Sequence, residues 1–307
     1  MPRTARLTTV SWGPSAPEGS ADPVDSNVAQ AIETIDMAAQ DGGDLIVLSE
    51  AFAHRNMPKP EALQRAEPIP GPITGRIGEA ARRHGCYVVA GMYERAGENV
   101  HNAAVLIDRQ GEVAGVYRKM FPTPGEIENG IMPGTEAPVI ETDFGRVGMA
   151  ICWDLHFPWE IGSQMAEQDV QLICWPSMYA GGFQLRMWAY LFGAYVVSAW
   201  PGQVCEIIDM NGYGLAATNY GYPIVSADVN FERDIFMRCT ASGKWHEIRE
   251  AYGDRITMEL MHAQGTFSIT SEDDDLTVAE VAEAFELDRR VPYYAHCRQV
   301  REDALGR

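Results

Sequence analysis

The alternation of short apolar runs with segments of helical periodicity limits this 307-residue chain to few folds. The run DLIVLSE (44–50) is almost continuously apolar, which is typical of a strand buried on both faces of a sheet. A segment with a helical apolar stripe, residues 25–40, precedes it and ends at Gly42-Gly43. Strand–helix units therefore account for much of the chain.

Other strands follow each other through tight turns. NAAVLID and EVAGVYRK flank Arg109-Gln110-Gly111, and EIID and YGLAAT flank the Asn-Gly pair at 211–212. Hairpins mixed with strand–helix units predict an α/β protein with mixed sheets covered by helices. Because no repeat or linker divides the sequence, we expect residues 1–307 to form a single domain.

Composition excludes several classes of partner. The chain has 24 basic and 43 acidic residues and a net charge of −19, which repels the phosphates of nucleic acids. No run approaches the roughly 18 apolar residues of a membrane span. The N-terminal segment lacks an apolar signal core. Six cysteines without a CxxC pair indicate reduced thiols, so we expect a cytoplasmic protein.

Three apolar strands end on reactive side chains, Glu50, Lys119 and Cys152. Strand ends in α/β sheets border the ligand crevice, so the three residues predict a catalytic site. A thiolate attacks carbonyl or nitrile carbon, and an adjacent ammonium lowers the thiol pKa and stabilises an oxyanion. A carboxylate can transfer the protons.

Each residue alone has a simpler interpretation. Cys152 could be a small buried hydrophobe, Glu50 a cap at a strand–helix turn, and Lys119 a solvated cation. None of these alternatives explains all three residues together. HEIRE (246–250) lacks the second histidine of a zinc helix, and no nucleotide or flavin pattern stands out, so we expect no cofactor and no metal.

Three separated motifs resemble the nitrilase superfamily, the carbon–nitrogen hydrolases. They are LIVLSEAF (45–52), YRKMFPTPGE (117–126) and GMAICWDLHFPWE (148–160). The resemblance implies a four-layer α-β-β-α sandwich, a small-molecule substrate, no cofactor, and a homodimer or higher homo-oligomer. The tail from about 244 to 307 resembles the family least and is expected to be a C-terminal extension.

The resemblance also implies residue roles. Glu50, Lys119 and Cys152 correspond to the family's catalytic triad, with Cys152 forming a thioester. A second glutamate that assists catalysis corresponds to Glu126, and Glu128 is the alternative. The backbone N–H of Trp153 would contact the oxyanion.

Substrate class is indicated by Asp154. Cys-Trp-Asp is similar to the amidase branches, whereas typical nitrilases have Cys-Trp-Glu-Asn, so we expect an amide or N-carbamoyl substrate. A nitrile substrate is the alternative, and a non-catalytic binding protein of the same fold is an alternative of another class. Substrate-binding candidates flank two strand ends; they are Trp153, His156, Ser177 and Tyr179. His54 either lines the pocket or is exposed.

Overall fold

The computed structural model describes residues 4–17, 19–241 and 243–307. The chain forms two compact units, with Ala5–Val229 in one and Asn230–Arg307 in the other. The sequence places the start of the extension near residue 244, and the second unit begins earlier, at Asn230.

In the described part of the first unit, twelve strands form two sheets. Their bounds are β1 Thr4–Val10, β2 Leu45–Val47, β3 Tyr87–Ala96, β4 Asn99–Ile107, β5 Val113–Arg118, β6 Val139–Glu141, β7 Arg146–Met149, β8 Leu172–Pro176, β9 Tyr195–Ala199, β10 Glu206–Ile208, β11 Gly214–Ala217 and β12 Ile224–Asn230. The sheet orders are β12-β1-β2-β3-β4-β5 and β11-β10-β9-β8-β7-β6. Strands β1-β2-β3 and β7-β8-β9 run parallel, while β3-β4-β5, β9-β10-β11 and β6-β7 are antiparallel. The predicted mixed sheets are confirmed.

Helices cover the outer face of each sheet. Their bounds are α1 Pro23–Ala38, α2 Lys59–Gln64, α3 Pro72–His84, α4 Pro124–Glu128, α5 Pro158–Ala166 and α6 Phe183–Phe192, with 3₁₀ turns at Ala39–Asp41, Phe52–His54 and Cys152–His156. Ile35 of α1 and Ile77 of α3 share a buried cluster with Ile46 of β2. Helix α6 packs on β9 and β10, and α5 packs on α6.

The two sheets face each other. Strand β2 contacts β8 and β9 across the interface, and the Thr9 hydroxyl donates to the carbonyl of Ser198. Helix, sheet, sheet and helix are therefore stacked in the four-layer α-β-β-α sandwich that the resemblance implies.

The second unit has its own sheet and core. Its elements are β13 Arg233–Met237, α7 Trp245–Tyr252, β14 Ile256–Met261, β15 Thr266–Ser271, α8 Val278–Ala284 and α9 Arg290–Ala304, with 3₁₀ turns at Gly253–Arg255 and His262–Gln264. The sheet order is β13-β15-β14, and Phe236, Phe267 and Val281 are buried in its core. Among the described residues, none of the helices is long and apolar enough to cross a membrane.

Candidate active site

Glu50, Lys119 and Cys152 meet at one cavity of about 360 Å³, in agreement with their predicted proximity. Glu50 lies three residues after β2, Lys119 directly follows β5, and Cys152 lies three residues after β7. Gly91 of β3 allows the chain at Glu50 to approach, because a Cβ at Gly91 would lie 2.7 Å from the Glu50 Cα. Elements from both sheets thus converge on this cavity.

The Lys119 ammonium is buried between two carboxylates. Its Nζ donates to Glu50 Oε1 at 3.1 Å and to Glu126 Oε2 at 2.8 Å. Burial by itself lowers the pKa of Lys119, but the negative charges of Glu50 and Glu126, and that of Cys152 when it is deprotonated, outweigh burial and raise it. Lys119 therefore remains a cation and is suited to stabilise negative charge rather than to accept a proton.

Glu126, and not Glu128, lies beside Lys119. Glu126 is buried and belongs to a capping box with Thr123 at the start of α4, where the Thr123 N–H donates to Glu126 Oε2 at 2.8 Å. Burial raises the pKa of Glu126, but the charge of Lys119 and the hydrogen bonds lower this pKa by a larger amount. The net shift is therefore downward. Glu128 is exposed. The local helix start fixes which of the two glutamates reaches the site.

Asn102 is a site residue that the sequence reasoning missed. Its Nδ2 donates to Glu50 Oε1 at 2.7 Å and to Glu126 Oε1 at 2.9 Å, so one amide group links the two carboxylates. Asn102 is buried in β4. A polar residue in the interior of a strand needs a buried partner, which is the signal that could have identified it.

Glu50 has one carboxylate oxygen available for chemistry. Oε1 accepts from both Asn102 and Lys119, whereas Oε2 is buried and has no hydrogen-bond partner in the described part of the chain. A buried carboxylate oxygen without a donor is suited to accept a proton from a reacting group.

The turn at Cys152 is held by Asp154. Cys152 has φ +48°, in the left-handed region that non-glycine residues rarely adopt, and it begins a 3₁₀ turn. The Asp154 carboxylate accepts from the Ile151 N–H at 2.8 Å, the Tyr117 hydroxyl at 2.7 Å and the Phe121 N–H at 2.9 Å. These bonds connect the segments after β5 and β7, which carry Lys119 and Cys152. Full burial raises the pKa of Asp154 to about 6 despite them.

The thiol pKa differs from the expectation drawn from sequence. Burial and the charge of Glu50 raise the pKa of Cys152 to about 12, although Lys119 and the Met178 N–H act in the opposite direction. The expected lowering by the adjacent ammonium is therefore wrong in net direction, because desolvation and the carboxylate outweigh it. Near pH 7 Cys152 is therefore a thiol, which would have to lose its proton before its sulfur could act as a nucleophile.

This raised pKa predicts how Cys152 reacts with iodoacetamide. The alkylation rate should still be rising at about pH 10, since the thiolate fraction grows until the pH exceeds the thiol pKa. In Lys119→Gln the curve should move to higher pH still, because the lysine lowers that pKa. Peptide mass spectrometry resolves Cys152 from the exposed Cys239. A plateau near neutral pH would contradict the raised pKa.

The four substrate-binding candidates lie around the site but, in the part of the chain the structure describes, not on the cavity wall. Trp153 and His156 contact each other with ring centroids 4.2 Å apart. The Ser177 hydroxyl accepts from the Tyr179 N–H at 3.0 Å, and the Tyr179 ring packs edge-on against Trp175. From this segment, Met178 lines the cavity. Their role in substrate binding stays a prediction.

His54 lines the cavity and is buried. One ring nitrogen, Nε2, is 3.1 Å from the carbonyl of Arg65. Burial lowers the pKa of His54 to about 4, so the ring is neutral near pH 7. Of the two alternatives for His54, the structure therefore supports a pocket residue rather than an exposed loop residue. It also adds lining residues that the sequence did not indicate, among them Arg55, Lys59 and Tyr93.

A four-layer α-β-β-α fold with glutamate, lysine and cysteine at one cavity defines a class of hydrolases that act on carbon–nitrogen bonds. Residues 18–232, more than half of the chain, match the family model described as carbon-nitrogen hydrolase. The chain belongs to this family.

The curated relatives include amidases and bifunctional nitrilase/nitrile hydratases. The chain is 28% identical over 188 residues to the deaminated glutathione amidase of Mus musculus, and this alignment covers 56% of the chain and 58% of the relative. It is 33% identical over 164 residues to the N-carbamoylputrescine amidase of Solanum lycopersicum, which covers 51% of this chain and 54% of the relative. The match thus spans little more than half the length of these relatives.

Solved structures support the fold. Saccharomyces cerevisiae Nit3, a member of branch 10 of the nitrilase superfamily, has a TM-score of 0.65 with 19% identity, covering 82% of this chain and 95% of that protein. An amidase from Nesterenkonia sp. has a TM-score of 0.63 with 19% identity, and the match covers 75% of this chain and 92% of that protein.

Proposed function

We propose that the chain hydrolyses the C–N bond of a small amide or N-carbamoyl compound through a thioester on Cys152. The observation that supports this best is the fully buried Lys119, held by Glu50 and Glu126 in the cavity that also contains Cys152. A buried cation is retained at this position because charge develops next to it during the reaction.

The first half-reaction forms the thioester. As the Cys152 sulfur attacks the carbonyl carbon, Glu50 takes the thiol proton, which the raised thiol pKa makes necessary. Lys119 and the backbone N–H of Trp153 stabilise the oxyanion; N–H groups in a first helical turn have no partner within the helix. Collapse breaks the C–N bond, and Glu50 gives its proton to the leaving nitrogen.

The second half-reaction releases the acid. Water attacks the thioester carbon and Glu50 takes a proton from it. The tetrahedral intermediate expels the Cys152 sulfur, which recovers the proton from Glu50. Glu126 and Asn102 contribute by holding Lys119 and Glu50 in place.

A nitrile substrate is the second candidate, because the same nucleophile attacks nitrile carbon. Two observations favour the amide. The Cys-Trp-Asp sequence at 152–154 is similar to the amidase branches, and the two relatives described above are named amidases, although other relatives are named bifunctional nitrilase/nitrile hydratases. A non-catalytic role does not account for the buried lysine between two carboxylates. Cytoplasmic location and assembly into a homodimer or higher homo-oligomer belong to the same proposal.

Ammonia release from a substrate panel tests the proposed reaction. We expect release from small primary amides or N-carbamoyl compounds and at least tenfold less from the nitriles of the same carbon skeleton. A coupled glutamate dehydrogenase assay measures it. Release from the nitriles alone would replace the amidase proposal by nitrilase activity, and no release from any compound would contradict hydrolysis.

A further inference from the structure

Two cations on the cavity wall form no ion pair with a carboxylate of the described residues. They are Arg55 and Lys59, which lie shortly after Glu50 in sequence. The chain has 43 acidic residues, and other cations near the sheet ends are paired, as Arg118 is with Glu94 at 2.6 Å. Unpaired cations inside a cavity of so acidic a chain point to an anion that arrives with the ligand.

The Arg55 guanidinium is partly desolvated without compensation. Its Nε is buried and has no hydrogen-bond partner in the described ranges, and its Nη1 is 3.9 Å from the Met178 sulfur, a weak acceptor. Burial lowers the pKa of Arg55. Removing a charge from water without a counter-charge is unfavourable, so a bound carboxylate would stabilise this arrangement.

Lys59 has a neutral partner instead of an acid. Its Nζ donates to the Tyr93 hydroxyl and lies 4.7 Å from the centre of that ring. Burial lowers the pKa of Lys59, and the charges of Glu126 and Glu50 partly oppose this shift. The ammonium therefore retains donors that a ligand can use.

Both cations are close to the reacting groups. Arg55 and Lys59 line the same cavity as Cys152 and Met178, and the Met178 sulfur lies 3.9 Å from Arg55 Nη1. The charged groups on the wall are three cations, Lys119, Arg55 and Lys59, against the carboxylates of Glu50 and Glu126. The cavity therefore carries a net positive charge within a chain whose net charge is −19.

We propose that the cavity selects amide or N-carbamoyl substrates that carry a carboxylate, and that Arg55 and Lys59 bind that carboxylate. The proposed carboxylate selection rests on the proposed hydrolase function and narrows its substrates to anionic compounds. A volume of about 360 Å³ is at the lower end for small-molecule sites and limits the substrate to a short chain. Substrates with a cationic tail would be repelled by the same pair.

Three amides with the same carbon chain test the selection. They are glutaramate, with a carboxylate; pentanamide, which is neutral; and 5-aminopentanamide, which is cationic. We expect kcat/KM for glutaramate to exceed that for pentanamide by about 10- to 100-fold, the range of a charge-assisted hydrogen bond. 5-Aminopentanamide should be the poorest substrate.

Variants assign the preference to the two cations. Arg55→Gln and Lys59→Gln should each reduce the glutaramate-to-pentanamide ratio about tenfold, and Arg55→Lys should retain part of it. Arg76→Gln is the matched control, since Arg76 pairs with the exposed Asp25 outside the cavity and should leave the ratio unchanged. Thermal denaturation shows whether each variant is folded.

Binding separates failure of this inference from failure of the proposed function. In Cys152→Ala, calorimetry should show glutaramate binding more tightly than pentanamide, and Arg55→Gln or Lys59→Gln in that background should remove the difference. Equal binding of the two amides, or a preference that survives both substitutions, would overturn the carboxylate site even if the protein hydrolyses pentanamide. Preferential binding without turnover of any amide would uphold the carboxylate site and refute the hydrolase.

Discussion

Cys152→Ala is expected to abolish amide hydrolysis while leaving the protein folded. Cys152 supplies the sulfur that the proposed thioester requires, and no other described cysteine lines the cavity. Alanine fits the site because it has the same Cβ at the left-handed φ of +48°, and the turn is held by Asp154 rather than by the thiol. Ammonia release should fall to background, while the thermal denaturation curve should stay close to that of the wild type.

Cys239→Ser provides the control, since Cys239 is exposed and lies in the second unit. It should retain full turnover. Activity of Cys152→Ala above a trace would exclude the thioester mechanism, and equal losses in the two variants would show a general sensitivity to cysteine replacement.

Glu50→Gln should lower the rate by about 10² to 10⁴, the range for removing a general base. The substitution is conservative in geometry. The amide oxygen can replace Oε1, which accepts from Asn102 and Lys119, and the amide nitrogen takes the position of Oε2, which has no partner in the described part of the chain. What glutamine cannot do is accept a proton. Single-turnover kinetics should therefore show slow acylation and slow release of the acyl-enzyme.

Glu126→Gln is the matched comparison. Glutamine also completes a capping box, so α4 should still begin at Pro124 after Thr123. If Glu126 only positions Lys119 and the substrate, this variant should bind substrate more weakly and lose less in the chemical step. Similar mild effects of both substitutions would contradict Glu50 as the base. A large deficit confined to Glu126→Gln would show that the other carboxylate transfers the proton.

The proximity of Glu50, Lys119 and Cys152 could be predicted because the ends of buried strands fix main-chain position. The strand runs around them are apolar and unambiguous, and the resemblance placed all three in matching motifs. The strands and helices predicted mixed sheets covered by helices, and the resemblance implied the four-layer arrangement. The resemblance favoured Glu126 over Glu128, and the structure shows why, because the Thr123 cap turns Glu126 inward and leaves Glu128 exposed.

Two features of the site could not be predicted from the sequence: where strand β4 begins, and the direction in which side chains point after a strand end. Asn102 opens the apolar run NAAVLID and resembles a residue before a strand, but β4 begins at Asn99 and places it in the strand interior. Ser177 and Tyr179 follow a strand end as expected, yet the Ser177 hydroxyl accepts from the Tyr179 backbone N–H and the Tyr179 ring packs against Trp175.

The direction of the Cys152 pKa shift could also be determined only from the structure. Its direction depends on the balance between burial, Glu50 and Lys119, and sequence gives the signs of these effects but not their sizes. The same balance decides whether the nucleophile is preformed or generated during attack.

Mass spectrometry of the acylated protein tests the central claim most directly. Glu50→Gln, incubated with an amide that the wild type hydrolyses and then quenched in acid, should accumulate the acyl group on the peptide that contains Cys152. The adduct should be removed by neutral hydroxylamine, as a thioester is, and should be absent from Cys152→Ala. Amide turnover by the wild type with no acyl adduct on Cys152, or with an adduct on a different residue, would contradict the account.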